Sequence, residues 1–200
     1  YETSLLVQYC LDDIQGFEKT IHAIAQTDPM SAQTHFDFLE RLVDRNNPKW
    51  KENKIFGIGL SKTGTSSLSE ALKLLNFSTA HWTNPYSHDL LTKEDIPLFD
   101  SLTDISISYQ YEELYEKYPD AKFILTSRSI ERWEKSFLTH YARSMHAASF
   151  EDLKRIINDQ YPPRFGQKYV DMHQELYFKF HSLEEAYRAH ERNVLNFFQR

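Results

Sequence analysis

A single lysine within a loop of glycine, serine and threonine is the first candidate for chemistry in this chain. Residues 54–75 read KIFGIGLSKTGTSSLSEALKLL: a short apolar run, the loop around Lys62, and then apolar residues at helical spacing. The first amides of a helix lack internal acceptors and lie at the positive end of the helix dipole. A turn of this kind therefore offers hydrogen-bond donors to an anion, and Lys62 adds a full positive charge.

The two glycines of this loop narrow the choice of anion. Gly59 and Gly64 have the spacing of a Walker loop, but the next residue is Thr65 where a nucleoside triphosphatase has lysine. That lysine would be needed to reach the β- and γ-phosphates. The sequence therefore favours another anionic ligand, and a plain strand-to-helix turn with a hydroxyl cap is the alternative without function.

A second charged position follows another apolar run later in the chain. Residues 122–127 read KFILTS and predict a strand, which ends at Arg128 and leads into a helix that carries Ser136 eight residues on. Each residue also has an alternative without function. Arg128 would form a surface ion pair, and Ser136 would be an ordinary serine on the surface of a helix.

The lysine loop and the Arg128 segment, in this order, resemble the two donor-binding motifs of sulfotransferases. That family transfers a sulfo group from 3′-phosphoadenosine 5′-phosphosulfate (PAPS), and its arginine and serine at this spacing bind the 3′-phosphate. The resemblance extends over roughly residues 54–200. It implies donor binding by Ser61, Lys62, Thr63, Gly64, Thr65, Ser66, Ser67, Arg128 and Ser136.

The resemblance also implies the reaction. A sulfo group would pass to a hydroxyl or amine of a small-molecule or carbohydrate acceptor, 3′-phosphoadenosine 5′-phosphate (PAP) would be released, and Lys62 would stabilise the leaving side. Cytosolic members often have tryptophan where this chain has Ser67. The adenine-stacking residue is therefore unassigned, and the loop is more similar to those of carbohydrate-modifying and bacterial members.

Transfer to an alcohol needs a general base, and three residues are candidates. Asp104 is favoured and His81 is second, because both follow predicted strands; Asp100 precedes Asp104 in the segment that enters the active face. His81 beside Trp82 is equally compatible with packing, and Asp100 with capping a turn.

The order of elements predicts an α/β fold. Strands that alternate with helices indicate a three-layer, P-loop-type parallel sheet flanked by helices, with ligands beyond the carboxyl ends of the strands. Residues 48–200 are expected to form this sulfotransferase-like domain, with helices beginning near 150 and 183 and a break at 161–166 that borders the acceptor pocket or merely joins helices. Residues 1–47 predict a helical hairpin, with its first apolar stripe at Leu5, Leu6, Tyr9, Asp13, Phe17, Ile21 and Ile24.

Composition and charge argue against several classes of protein and kinds of site. The net charge of −6 argues against a general nucleic-acid binder, and Cys10, the single cysteine, excludes an intrachain disulfide. The histidines lack zinc-site spacing, so we expect no catalytic metal. No apolar run approaches ~18 residues and no secretory signal is evident, which predicts a soluble, cytoplasmic protein without a membrane span.

Two features of the termini predict a fragment. The chain starts at Tyr1 without methionine and stops at Arg200 on a continuing helical pattern, so we expect an adjoining segment before residue 1 or after residue 200 and a truncated carboxyl terminus. A magnesium-dependent P-loop kinase and a non-catalytic nucleotide-binding scaffold remain the alternative functions.

Overall fold

The computed structural model describes residues 13–160 and 162–199, and the side chains of 160 and 162–164 are likewise not described. The predicted apolar positions Leu5, Leu6 and Tyr9, together with Cys10, lie outside the described residues. Tyr161, the first residue of the predicted break, does so too. Within the described residues, no helix combines the length and apolar character needed to cross a membrane.

The centre of the molecule is a parallel sheet of four short strands. They are β1 (Ile55–Gly57), β2 (Thr79–His81), β3 (Ser101–Thr103) and β4 (Lys122–Ile124). Their spatial order is β2-β3-β1-β4, and every neighbouring pair is parallel. The register aligns Gly57 with Thr103 and Ile124, so the carboxyl ends of the strands meet at one edge of the sheet. The predicted α/β class is confirmed.

Helices flank this sheet. The described helices, in chain order, are α1 (Ile14–Ala25), α2 (Pro29–Val43), α3 (Thr65–Leu74), α4 (Ile105–Ser108), α5 (Tyr111–Lys117), α6 (Ile130–Met145), α7 (Phe150–Gln160), α8 (Pro162–His173) and α9 (Leu183–Phe198). The helix starts predicted near 150 and 183 are confirmed, and Ser182 caps α9 through the amide of Glu185. Gly166, with a φ of 70°, kinks α8 in the segment where the sequence predicted a break.

The amino-terminal hairpin shares a hydrophobic core with the sheet. Side chains of Asp13 and Asp28 accept hydrogen bonds from the first turns of α1 and α2, as expected of N-caps. Phe38 of α2 stacks on Tyr86 at 3.9 Å between ring centroids and contacts Phe99 at 5.6 Å. The hairpin thus covers the side of the sheet on which these aromatic residues lie.

A second core lies between α6, α9 and the π-helical segment Gln174–Phe178. Trp133, Phe137 and Tyr141 follow one another at helical spacing along α6 and are all buried. They therefore belong to this second core. Their burial leaves the opposite face of α6 open to solvent, and the polar residues of that face become important for the site.

Some boundaries differ from the expected ones. The strands are shorter than predicted, because the chain leaves the sheet at Gly57 and Ile124 to form the loops of the site. Helix α5 begins at Tyr111, after the separate turn α4. On α3, Leu72 is buried, but Leu75 is 67% exposed, since the helix ends one residue before it.

Candidate active site

Close packing shapes the loop that follows β1. A Cβ atom on Gly59 would lie 2.0 Å from Oγ1 of Thr126, so only glycine allows β1 and the segment after β4 to approach this closely. Lys62 and Gly64 both have positive φ, at 70° and 116°. These left-handed residues reverse the chain sharply and direct it into α3.

The turn presents open backbone donors. Among the residues that the structure describes, no acceptor binds the amides of Gly64, Thr65, Ser66 or Ser67 at the start of α3. Four donors at the positive end of a helix dipole are suited to an anion with several oxygen atoms.

Two of the residues predicted to bind the donor, Thr63 and Ser61, already form hydrogen bonds within the protein. The hydroxyl of Thr63 donates to the carbonyl of Leu60 and contacts the hydroxyl of Thr126, and its amide also donates to Leu60. The amide of Ser61 donates to the hydroxyl of Tyr177. The hydroxyl and amide of Thr63 and the amide of Ser61 therefore shape the loop.

A charged cleft adjoins the loop. The structure brings Lys62, Arg128 and Ser136 together on the wall of a cleft of about 380 Å³. Its other lining residues are Arg132, Lys135, Thr139, His140 and Arg143. Within residues 13–160 and 162–199, none of the five lysines and arginines of this cleft forms an ion pair. Their charge is thus available to an anionic ligand.

Tyr187 of α9 holds Arg128 in position. Its hydroxyl accepts a hydrogen bond from the amide of Arg128 at 2.8 Å and donates to the carbonyl of the same residue at 2.7 Å. The guanidinium of Arg128 also donates to the carbonyl of Lys62 at 3.4 Å. These contacts fix the backbone at the start of α6 relative to the lysine loop.

A second, smaller cleft of about 260 Å³ meets the first one at Lys62 and His140. Polar groups of Ser66, His81 and Asp104 line one part of it. Its remaining lining residues include the aromatic side chains of Trp82, Tyr141 and Tyr169. Phe165 packs on Trp82 at 5.4 Å between ring centroids, which places part of the predicted 161–166 segment beside this cleft.

His81 and Asp104 form a pair in the second cleft. Nε2 of His81 lies 3.3 Å from Oδ2 of Asp104 and 3.0 Å from the hydroxyl of Ser66, while Nδ1 contacts the hydroxyl of Thr103 at 2.8 Å. Burial lowers the pKa of His81, and the nearby Asp104 carboxylate opposes part of this effect. His81 is therefore neutral at pH 7 and able to accept a proton.

Asp104 has an unusual backbone conformation. Its φ of 87° is rare for a residue with a Cβ, and its Oδ1 accepts a hydrogen bond from the amide of Ile105 at 2.7 Å. Strained residues of this kind occur preferentially at functional sites. The strain places the carboxylate between the end of β3 and the ring of His81.

Asp100, the third candidate base, lies at the other end of strand β3 from Asp104. Its carboxylate accepts hydrogen bonds from the guanidinium of Arg41 at 2.7 Å and from the amide of Ser78 at 2.9 Å. It precedes β3, whereas Asp104 follows that strand. Asp100 thus lies at the amino end of the sheet and is not among the residues that line either cleft, and its contacts connect α2 to the sheet.

Sequence reasoning also missed residues that the site contains. Arg132, Lys135 and Arg143 line the charged cleft. Tyr187 holds the backbone of Arg128, another lining residue, by a hydrogen bond. The cations had a detectable signal, since they recur on the face of α6 opposite its apolar stripe. Tyr187 had no such signal in the sequence, because it lies 59 residues from its partner Arg128. Among the described residues, no group of three or more histidine, cysteine, aspartate or glutamate side chains is arranged to hold a metal ion.

Comparison with known proteins identifies the class. Residues 54–200 match the family described as "Sulfotransferase domain". This match extends over most of the chain, which therefore belongs to the sulfotransferase domain family. It begins just before β1 and includes both clefts. A search of curated proteins finds no match.

Proposed function

We propose that this protein is a sulfotransferase that uses PAPS as donor and a small-molecule or carbohydrate alcohol or amine as acceptor. The main support is the junction of two clefts at Lys62: one is cationic and adjoins open helix amides, and the other contains the His81–Asp104 pair. This arrangement provides separate places for an anionic donor and a proton-releasing acceptor. Membership of the sulfotransferase domain family is independent support.

The donor's phosphosulfate would lie at the start of α3. The open amides of Gly64, Thr65, Ser66 and Ser67 would bind its oxygen atoms, and Lys62 would lie next to the bond that breaks. The 3′-phosphate would bind Arg128 and Ser136 in the charged cleft. In this proposal Thr63 and Ser61 support the loop through the contacts described above.

The reaction is an in-line displacement at sulfur. The acceptor oxygen or nitrogen forms a bond to sulfur while the bond from sulfur to the bridging phosphate oxygen breaks, and PAP leaves with that electron pair. Lys62 and the helix amides stabilise the charge that develops on the leaving phosphate. The His81–Asp104 pair receives the acceptor's proton, so charge and atoms balance.

The position of the aromatic residues supports the assignment of the acceptor cleft. Trp82, Tyr141 and Tyr169 provide flat apolar surfaces beside the polar His81–Asp104 pair. Such a mixture suits a ring-containing acceptor whose reactive group points to the base.

The primary experiment measures the binding of PAP to the protein by its effect on the melting temperature, with and without magnesium. Saturating PAP should stabilise the protein by ~2–4 kcal/mol at 100- to 1,000-fold excess over its Kd, equally in the presence of a chelator. ADP with magnesium is the control for a kinase. Stabilisation by ADP that depends on magnesium, without an effect of PAP, would contradict the proposal in favour of a kinase.

A second experiment separates an enzyme from a binding scaffold. Donor with labelled sulfur is incubated with a panel of phenols, sugars and amines, and labelled product is counted. Labelled product formed from any acceptor by the wild type, and absent with Lys62→Ala, supports catalysis. Tight PAP binding without transfer to the whole panel would favour the scaffold.

A further inference from the structure

One face of α6 carries a row of polar and cationic residues along the charged cleft. Arg132, Ser136, Thr139 and Arg143 follow one another at intervals of four, three and four residues, which places them on one side of the helix. The row is as long as the cleft. It starts one turn before Ser136 and continues about two turns beyond it.

The cations of this row contrast with the rest of the molecule. The protein has a net charge of −6, yet the cleft is lined by five lysine or arginine residues and by no aspartate or glutamate. Elsewhere in the described residues, lysines such as Lys73 and Lys93 lie within 2.8 Å of a carboxylate. Among the described residues, Arg143 forms no ion pair, so its charge is available to an approaching anion.

Arg143 is distant from the groups assigned to the donor. With a rise of about 1.5 Å per residue, it lies roughly 10 Å along α6 from Ser136, which is expected at the 3′-phosphate. Its neighbours are instead His140 and Ser144, which line the smaller cleft. The row thus passes from the donor's phosphate towards the proposed place of the acceptor.

We propose that Arg143 forms an anion subsite for the acceptor, and that the acceptor is therefore an alcohol or amine that already bears a fixed negative charge. A carboxylate, sulfate or phosphate group on the acceptor would bind the guanidinium of Arg143, while its reactive group enters the smaller cleft near His81. Arg132 lies on the donor side of Ser136 and contributes to donor binding. The inference rests on the proposed function, since it uses the assignment of the two clefts.

The test is a titration of inorganic sulfate into the protein saturated with PAP, followed by NMR shifts of backbone amides at constant ionic strength. PAP fills the phosphate positions of the donor site, so sulfate reports on the anion sites that PAP leaves open, and the dependence on Arg143 distinguishes the subsite from the empty position of the sulfo group beside Lys62. We expect saturable binding with a Kd of ~1–10 mM and shifts concentrated at the end of α6. Arg143→Ala should weaken this binding about tenfold or more and leave the affinity for PAP within about twofold.

Arg192→Ala is the matched control, because Arg192 is an exposed arginine of α9 outside both clefts. It removes the same charge and should leave sulfate binding unchanged. Sodium acetate is titrated in parallel: tighter binding of acetate assigns the acceptor's charge to a carboxylate, and tighter binding of sulfate to a sulfate or phosphate group. Either result supports the subsite.

Three outcomes would overturn the inference: no saturable binding of either anion, equal losses in Arg143→Ala and Arg192→Ala, or full binding in Arg143→Ala. Failure of the proposed donor is recognised separately. In that case PAP does not bind, whereas sulfate titrated into the free protein still binds in a manner that requires Arg143.

Discussion

Charged residues are buried and paired at one end of the sheet, whereas at the other end they line an open cleft. At the amino end, the Arg41 guanidinium is buried on Asp100, and Lys54 donates to the carbonyls of Phe99 and Pro97. At the carboxyl end, Lys62 and Arg128 lie at the wall of an open cleft without a carboxylate partner among the described residues. The first arrangement stabilises the fold, and the second leaves charge for a ligand.

Burial is the physical difference between the two ends. It lowers the pKa of Lys54 from its usual value to about 7, because a charged amine loses hydration inside the protein and Arg41 repels it further. Such groups are compensated by fixed protein acceptors and cannot serve a ligand. Residue type alone therefore does not identify a functional cation or carboxylate. In this protein, the end of the sheet at which the residue lies distinguishes the two kinds of charged residue.

The largest effect is expected for Lys62→Ala. Removing the charge beside the leaving phosphate should lower turnover by about 100- to 1,000-fold, the usual range for loss of one preorganised electrostatic group. PAP binding should weaken as well. Lys73→Ala, in which the replaced lysine is paired with Glu70 on the surface of α3, is the control and should keep full turnover. Steady-state kinetics with the labelled donor measures both variants.

The two aspartates that flank β3 give the sharpest comparison. Asp104→Asn should lower turnover about 100-fold while PAP binding is kept, because the proton-accepting pair is broken. Asp100→Asn should leave turnover nearly unchanged but cost about 2–3 kcal/mol of unfolding free energy, because Arg41 loses a charged partner. Urea unfolding and kinetics are measured on both. Exchanged results would show that the two ends of the sheet were assigned the wrong way round.

Arg128→Ala tests recognition of the 3′-phosphate. Loss of a charge-assisted contact should cost ~2–3 kcal/mol in PAP binding and little in binding of the nucleotide without the 3′-phosphate. Isothermal titration of the two nucleotides gives the difference directly. Equal losses for both would assign Arg128 a structural role, like that of Arg41.

The pH dependence of transfer tests His81. The pKa of this residue is lowered, so its neutral form predominates at pH 7, and only the neutral form accepts a proton. The kcat/KM value should therefore stay level above pH ~7 and fall as the pH decreases below ~6.5, the ordinary histidine pKa. His81→Gln should remove this acidic limb, and His22→Gln, an exposed change on α1, should not. An unchanged limb in His81→Gln assigns it to another group.

The smallest effect is expected for Tyr187→Phe, which removes the hydroxyl that holds the backbone of Arg128. The loss of two neutral hydrogen bonds, one of them to an amide that water can reach, should weaken PAP binding about three- to tenfold. Because the same hydroxyl is near Ser127, stability should also fall slightly. An affinity equal to that of the wild type would show that the lysine loop alone positions Arg128.

Local sequence patterns determined much of this protein. The alternation of strand and helix patterns predicted the parallel sheet, and local patterns predicted the helices that begin near residues 150 and 183. The resemblance to sulfotransferases implied a shared ligand for Arg128 and Ser136, and both residues line one cleft of the structure. These features depend on residues that are close together in the chain, so they can be recognised from the amino-acid sequence alone.

Only the tertiary structure decided which groups remain free to act. The hydroxyl of Thr63 and the amide of Ser61 are suitable donors to a ligand, but the fold places them against the hydroxyls of Thr126 and Tyr177. Asp100 and Asp104 are four residues apart and chemically identical, and strand β3 places them at opposite ends of the sheet. Pairing partners such as Tyr177 lie 116 residues from the loop they contact, and such distances are set by the topology of the fold, which no local pattern encodes.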